Sequence, residues 1–122
     1  MTLRLLPMNF SVCQVADAPN FALAPYTFLA RTEEEISLVC PGECVPEGCL
    51  NREDGWRCFQ VAGPLDFSLV GILSAIAGCL AAKQIPIFAV STYNTDYVMV
   101  KEEKLTEARA ALTEAGYEIR MK

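Results

Sequence analysis

The chain contains no histidine, no run of basic residues and no apolar stretch clean enough to cross a bilayer. It also lacks a G-x-S-x-G elbow, a phosphate-binding glycine loop and a dinucleotide fingerprint. Each absence removes a class of function. Without those motifs, and without the commonest general base, acyl, phosphoryl and hydride transfer lose their usual groups. A cysteine nucleophile at Cys44 or Cys49 would need a base and a depressed pKa, and the sequence supplies neither. A non-enzyme with no cofactor is expected. Lys plus Arg number 10 against 15 Asp plus Glu, a net charge of −5. Nucleic-acid binding needs clustered cations, so no nucleic-acid partner is expected either. Between Leu65 and Val90 only Asp66 and Lys83 are charged, but Pro86 and two glycines split the run. Its helical part falls short of the roughly 20 residues a bilayer crossing takes. It reads as a buried helix followed by a strand, and no membrane partner is expected. The opening MTLRLLPMNFSVCQV has an early proline and a short alternating apolar run, unlike a signal peptide. A cytoplasmic location is the expectation.

What is present is a globular core, since 52% of the 122 residues are hydrophobic. Six cysteines stand at Cys13, Cys40, Cys44, Cys49, Cys58 and Cys79. Cys40, Cys44 and Cys49, with Cys58 as a fourth, could in principle offer thiolates to zinc. Their spacing fits no zinc knuckle, and Cys13, Cys58 and Cys79 lie in apolar patterns where cysteine is a small hydrophobe. Neither a metal site nor a structural disulfide is expected.

Leu3 to Leu6 and Phe10 to Val15 read as strand pieces broken at Pro7, and Ala16 to Pro25 as a helical turn or two. Tyr26 to Thr32 and Glu35 to Cys40 read as a hairpin around an acidic, solvated turn. The stretch PGECVPEGCLNREDG, Pro41 to Gly55, reads as a loop. From Trp56 the pattern becomes regular. Arg57 to Val61 is a strand, Gly63-Pro64 a turn, and Phe67 to Lys83 a helix that Asp66 or Ser68 can cap. Ile85 to Thr92 and Asp96 to Lys101 are strands. Leu105, Ala108, Leu112 and Ala115 recur at helical spacing, Gly116 stands at a C-cap position, and Tyr117 to Met121 alternate. Trp56 to Met121 therefore reads βαββαβ, an antiparallel sheet with both helices on one face. The expected core includes Phe59, Val61, Leu69, Ile72, Leu73, Ile76, Leu80, Ile87, Phe88, Val90, Val98, Val100, Leu105, Leu112 and Ile119. Two short strings recur: Pro7 to Val12 parallels Pro64 to Leu69, and Phe28 to Thr32 parallels Phe88 to Thr92. This suggests an internal repeat with a truncated first copy.

The residues GPLDFSLVGILSAIAGCLAAKQIPIFAVSTYNTDYVMVK, and FAVSTYNTDYVMV above all, resemble the ACT domain. The type resembled follows aspartate kinases and recurs in small stand-alone bacterial proteins and in an animal cytosolic arginine sensor. The resemblance implies an α+β fold in which a ferredoxin-like ACT unit, residues 56–122, follows a reduced ACT-like N-terminal half, residues 1–55, as a tandem ACT-like repeat. It also implies a regulatory module that binds an amino acid where ACT units pair. The alternative is a ligand-free dimerisation module.

Carried over by position, the implied ligand contacts are Leu65, Asp66, Phe67, Val70 and Gly71 at the strand-to-helix turn, and Ser91, Thr92, Tyr93, Asn94 and Asp96 at the strand-to-strand corner. The turn would offer backbone N–H groups to a carboxylate, Gly71 would allow close approach, and Asp96 would meet an ammonium or guanidinium. Several of these residues also have a structural explanation: Asp66 as an N-cap, Asn94 and Asp96 as turn formers, Tyr93, like Tyr97, as a strand residue. Exposed sheet edges suggest a homodimer.

Overall fold

A computed structural model of the chain describes residues 1–19, 22–62 and 71–122. In chain order the strands are β1 (Thr2–Leu5), β2 (Phe10–Val15), β3 (Phe28–Arg31), β4 (Ile36–Pro41), β5 (Asn51–Val61), β6 (Ile87–Ser91), β7 (Asp96–Lys101) and β8 (Glu118–Met121). The helices are α1 (Ile72–Ala81), between β5 and β6, and α2 (Leu105–Glu114), between β7 and β8. Two compact units result, Met1–Pro7 with Arg57–Lys122, and Met8–Trp56. The chain thus has the α+β, ferredoxin-like character expected of it.

In the first unit the sheet order is β8-β1-β5-β7-β6. Leu3 and Leu5 of β1 meet Phe59 and Val61 of β5 on one face, joined by Ile76 and Leu80 of α1, Val98 and Val100 of β7, and Ala108 and Leu112 of α2. Side chains alternate along a strand, so the helices cover this face and Arg4 points to the other. The expected core residues Ile72, Leu73, Ile87, Leu105 and Ile119 pack around that cluster, whereas Phe88 and Val90, expected there too, are only half-buried and lie outside it, because strand alternation turns Ile87 to the helices instead; Leu69 lies outside the described residues. α1 and α2 end alike. Gln84 N–H donates to Ala81 C=O and Ile85 N–H to Leu80 C=O, and Gly116 N–H donates to Thr113 C=O and Tyr117 N–H to Leu112 C=O. Both are Schellman ends that need a left-handed residue. Gly116 has φ 101° and Gln84 φ 57°.

β1 occupies a place the sequence does not announce. It runs antiparallel to β5 (Leu3↔Val61) and parallel to β8 (Leu3↔Ile119), so it lies between the first and last strands of the βαββαβ pattern. A boundary between residues 55 and 56 assigns β1 to the N-terminal half, whereas its partners are C-terminal.

In the second unit the order is β3-β4-β2, with the first part of β5 beside β2. This is the same sequence of strands as a ferredoxin-like unit, with no α-helix among its described residues. The expected helical turns between Ala16 and Pro25 are absent from the described residues there. Asn51 to Gly55, expected as loop, is strand instead, because Gln14, Cys13 and Val12 of β2 supply ladder partners that a polar, non-alternating string does not reveal. A bulge opposite Ser11 is accommodated at Gly55, whose φ is 82°. Cys13, Val15 and Leu38 form its small core.

The two hairpins agree in register. β3 and β4 pair Phe28↔Val39 and Arg31↔Ile36, and β6 and β7 pair Phe88↔Met99 and Ser91↔Asp96. All four positions differ by 60 residues. A 3-10 turn follows each hairpin at the same offset, Gly42–Cys44 and Glu102–Lys104.

Candidate ligand-binding corner

The corner between β6 and β7 is closed by threonine. Thr92 N–H donates to Thr95 C=O at 2.9 Å, the Thr92 hydroxyl donates to the same carbonyl at 3.1 Å, and Thr95 N–H returns to Thr92 Oγ1 at 3.4 Å. Thr95 is buried, and its hydroxyl donates to Val61 C=O at 2.7 Å. That bond fastens the corner to the end of β5, two residues before Gly63. Tyr97 strengthens the join by accepting a bond from Gln60 Nε2 at 3.3 Å. Thr95, Gln60 and Tyr97 are not among the site residues the sequence points to. A threonine four positions into a turn gives no local sign that its hydroxyl faces inward.

Of the expected corner residues, Ser91 donates its hydroxyl to Asp96 Oδ1 at 2.6 Å. Asp96 is half-buried. A carboxylate accepts several hydrogen bonds, so this one leaves acceptor capacity for an ammonium or guanidinium. Thr92 holds the turn rather than projecting from it, Asn94 is exposed, and Tyr93 is 82% exposed.

Leu65, Asp66, Phe67 and Val70 lie outside the described residues, as do the expected Pro64 turn and Ser68 cap. Gly71 is described, and it revises the helix start. α1 begins at Ile72, with Gly71 as its N-cap at φ 80° and no side-chain cap. The first helical N–H groups of α1 are those of Ile72 and the residues after it. The left-handed backbone of Gly71 is a conformation that favours glycine.

The cysteines follow burial. All six are free thiols. Burial pushes the Cys58 thiol up to about 12. Burial, then the nearby Cys13 and Cys44, pushes Cys40 up to about 12. Such thiols stay protonated at neutral pH. Among the described residues no group of three or more Cys, Asp or Glu is arranged to hold a metal ion. None of the described helices is long and apolar enough to cross a membrane.

Comparison with known proteins fits this geometry. The profile of the ACT domain matches residues 51–114, more than half of the chain. The chain belongs to the ACT domain family. This ACT chain is 38% identical over 95 residues to the cytosolic arginine sensor for mTORC1 subunit 1 of Rattus norvegicus, covering 72% of the chain and 29% of that relative. The Mus musculus protein of the same name is 41% identical over 94 residues, 71% of the chain and 28% of the relative. The chain therefore spans less than a third of these curated relatives. Among solved structures, protein Atu0741 from Agrobacterium tumefaciens superposes with a TM-score of 0.88 at 26% identity, covering 99% of this chain and 92% of that one. The aspartokinase alpha and beta subunits share the fold at a TM-score of 0.63 and 16% identity, covering 94% and 97%.

Proposed function

We propose that this ACT chain is a non-catalytic regulatory module whose ligand is a free amino acid, held between the β6–β7 corner and the start of α1. The observation that carries this reading is the bond from Thr95 to Val61 C=O. It keeps the half-buried Asp96 beside the strand end that leads into Gly63 to Val70. In this reading Asp96, with Ser91 and Asn94 around it, receives the ligand's positive group. The uncapped N–H groups at the start of α1, whose dipole end is positive, receive its carboxylate. Leu65, Asp66, Phe67 and Val70 enter this reading by family position alone, and Thr92 and Tyr93 contribute the corner backbone and an exposed ring. The second unit is a reduced ACT-like copy with no α-helix among its described residues, and two chains pair as a homodimer in the cytoplasm. Relatives named as arginine sensors make arginine the first ligand to try.

A thermal-shift screen of the twenty amino acids tests the reading. A ligand at 100 times its dissociation constant should add about 2.7 kcal/mol of stability. Asp96→Asn should abolish that gain while leaving the unliganded protein within about 1 kcal/mol of wild type. No shift with any amino acid, combined with a dimer in sedimentation, would replace this reading with the ligand-free dimerisation module.

A further inference from the structure

We infer that a second, chemically opposite site exists on the sheet face turned away from the helices, and that it takes a small molecule carrying at least two negative charges on oxygen. A cavity of about 470 Å³ lies there, lined by Thr2, Arg4, Ala62, Arg120, Met121 and Lys122. Three of the chain's 10 cations thus gather at one cavity in a protein of net charge −5.

The register explains how they meet. β1 and β8 run parallel with Arg4 directly beside Arg120, on strands that lie about 4.8 Å apart in a sheet. Paired residues project from the same face, so two guanidinium groups stand next to each other above the strand ends. Like charges directly opposite on neighbouring strands repel and destabilise the pairing. Glu118 relieves Arg120 in part by accepting its Nε–H at 2.6 Å, but Arg4 has no ion-pair partner among the described residues. An oxyanion between the two forks removes the repulsion and is held by paired N–H donors, with the Thr2 hydroxyl beside it. The cavity exceeds the size of the anionic group alone, so the group belongs to a larger molecule, either a phosphate ester or a dicarboxylate. The β6–β7 corner presents a carboxylate and hydroxyls, and does not share this chemistry.

Pyrophosphate and succinate serve as probes, titrated into the full chain by calorimetry at constant ionic strength. Saturable binding of either supports the site, and the stronger probe distinguishes phosphoryl from dicarboxylate recognition. Arg4→Gln and Arg120→Gln should each weaken binding at least tenfold. Lys83→Gln, an exposed charge at the end of α1 on the helix-covered side, should leave it unchanged. Without anion, Arg4→Gln should melt no lower than wild type, because it removes a repulsion from an exposed position. Absence of saturable binding by both probes, unchanged affinity in Arg4→Gln, or an equal loss in Lys83→Gln would overturn the proposal. Anion binding that survives Asp96→Asn, in a protein that binds no amino acid, would uphold this site independently of the amino-acid reading.

Discussion

The β3–β4 and β6–β7 corners are one backbone device built twice. In the first, Thr32 N–H donates to Glu35 C=O at 2.9 Å, and Glu34 and Glu35 N–H both return to Thr32 Oγ1 at 3.2 Å. The second repeats this pattern with Thr92 and Thr95, 60 residues on. The difference is the fourth residue. Glu35 is exposed and accepts the Ser37 hydroxyl at 2.6 Å, whereas Thr95 is buried and holds Val61. Turn geometry is therefore carried by the threonine at the first position. Whether the corner floats in solvent or is fastened to a core is decided three residues later. The two helix ends teach the same lesson, because Gln84 and Gly116 fill one backbone role at different cost.

Breaking what stands behind each corner should have the largest effect. Ile76 is fully buried in the large cluster of the first unit, so Ile76→Ala should cost about 2–5 kcal/mol in urea unfolding. Leu38→Ala removes a residue from the small cluster of the second unit, and should fall near the bottom of that range, about 2 kcal/mol, because a small cluster collapses more easily around a lost side chain. A larger loss at Leu38 would contradict the ranking of the two cores.

Exchanging the fourth residues sharpens the contrast. Thr95→Val keeps the shape but removes the donor to the Val61 carbonyl, and should cost about 1–3 kcal/mol. Glu35→Ala at the matching exposed position should stay within about 0.5 kcal/mol. Equal costs in denaturant melts would mean that Thr95 fastens nothing.

The smallest effect belongs to the helix ends. Gln84→Gly should gain about 0.5–1 kcal/mol by relieving the left-handed strain, while Gly116→Ala should lose about 1 kcal/mol. A loss on Gln84→Gly, read by thermal melts, would show that the glutamine side chain makes a contact worth more than the strain.

Much of the C-terminal architecture was legible because its signals are local. Phe88 to Ser91 and Asp96 to Lys101 are short apolar, aromatic and β-branched runs around a polar turn, Leu105, Ala108 and Leu112 mark a helix stripe, and Gly116 sits where a left-handed end demands it. Gln84 gave no such sign, since glycine is the residue that ordinarily marks that position. Asn51 to Gly55 was hidden for another reason: exposed on both faces, it becomes strand only because β2 offers a ladder. At the site, the corner string is legible, but the role of Thr95 is not, because burial of one hydroxyl is decided by Val61, more than thirty residues earlier. The placement of β1 was beyond local reading altogether, because a parallel pair joining Thr2 to Glu118 leaves no pattern in either segment.

That strand sets a timetable for the chain. At about 5–20 residues per second of synthesis, the partners of Thr2 and Leu3 on β8 follow them by roughly 6–23 s. During that interval Leu3 and Leu5 can join β5 at best, with the other side of β1 unfilled. A fragment cut at residue 56, although it holds the whole βαββαβ pattern, would carry an empty slot between its first and last strands. The opening residues are in this sense the closing piece of the sheet, made first and seated last.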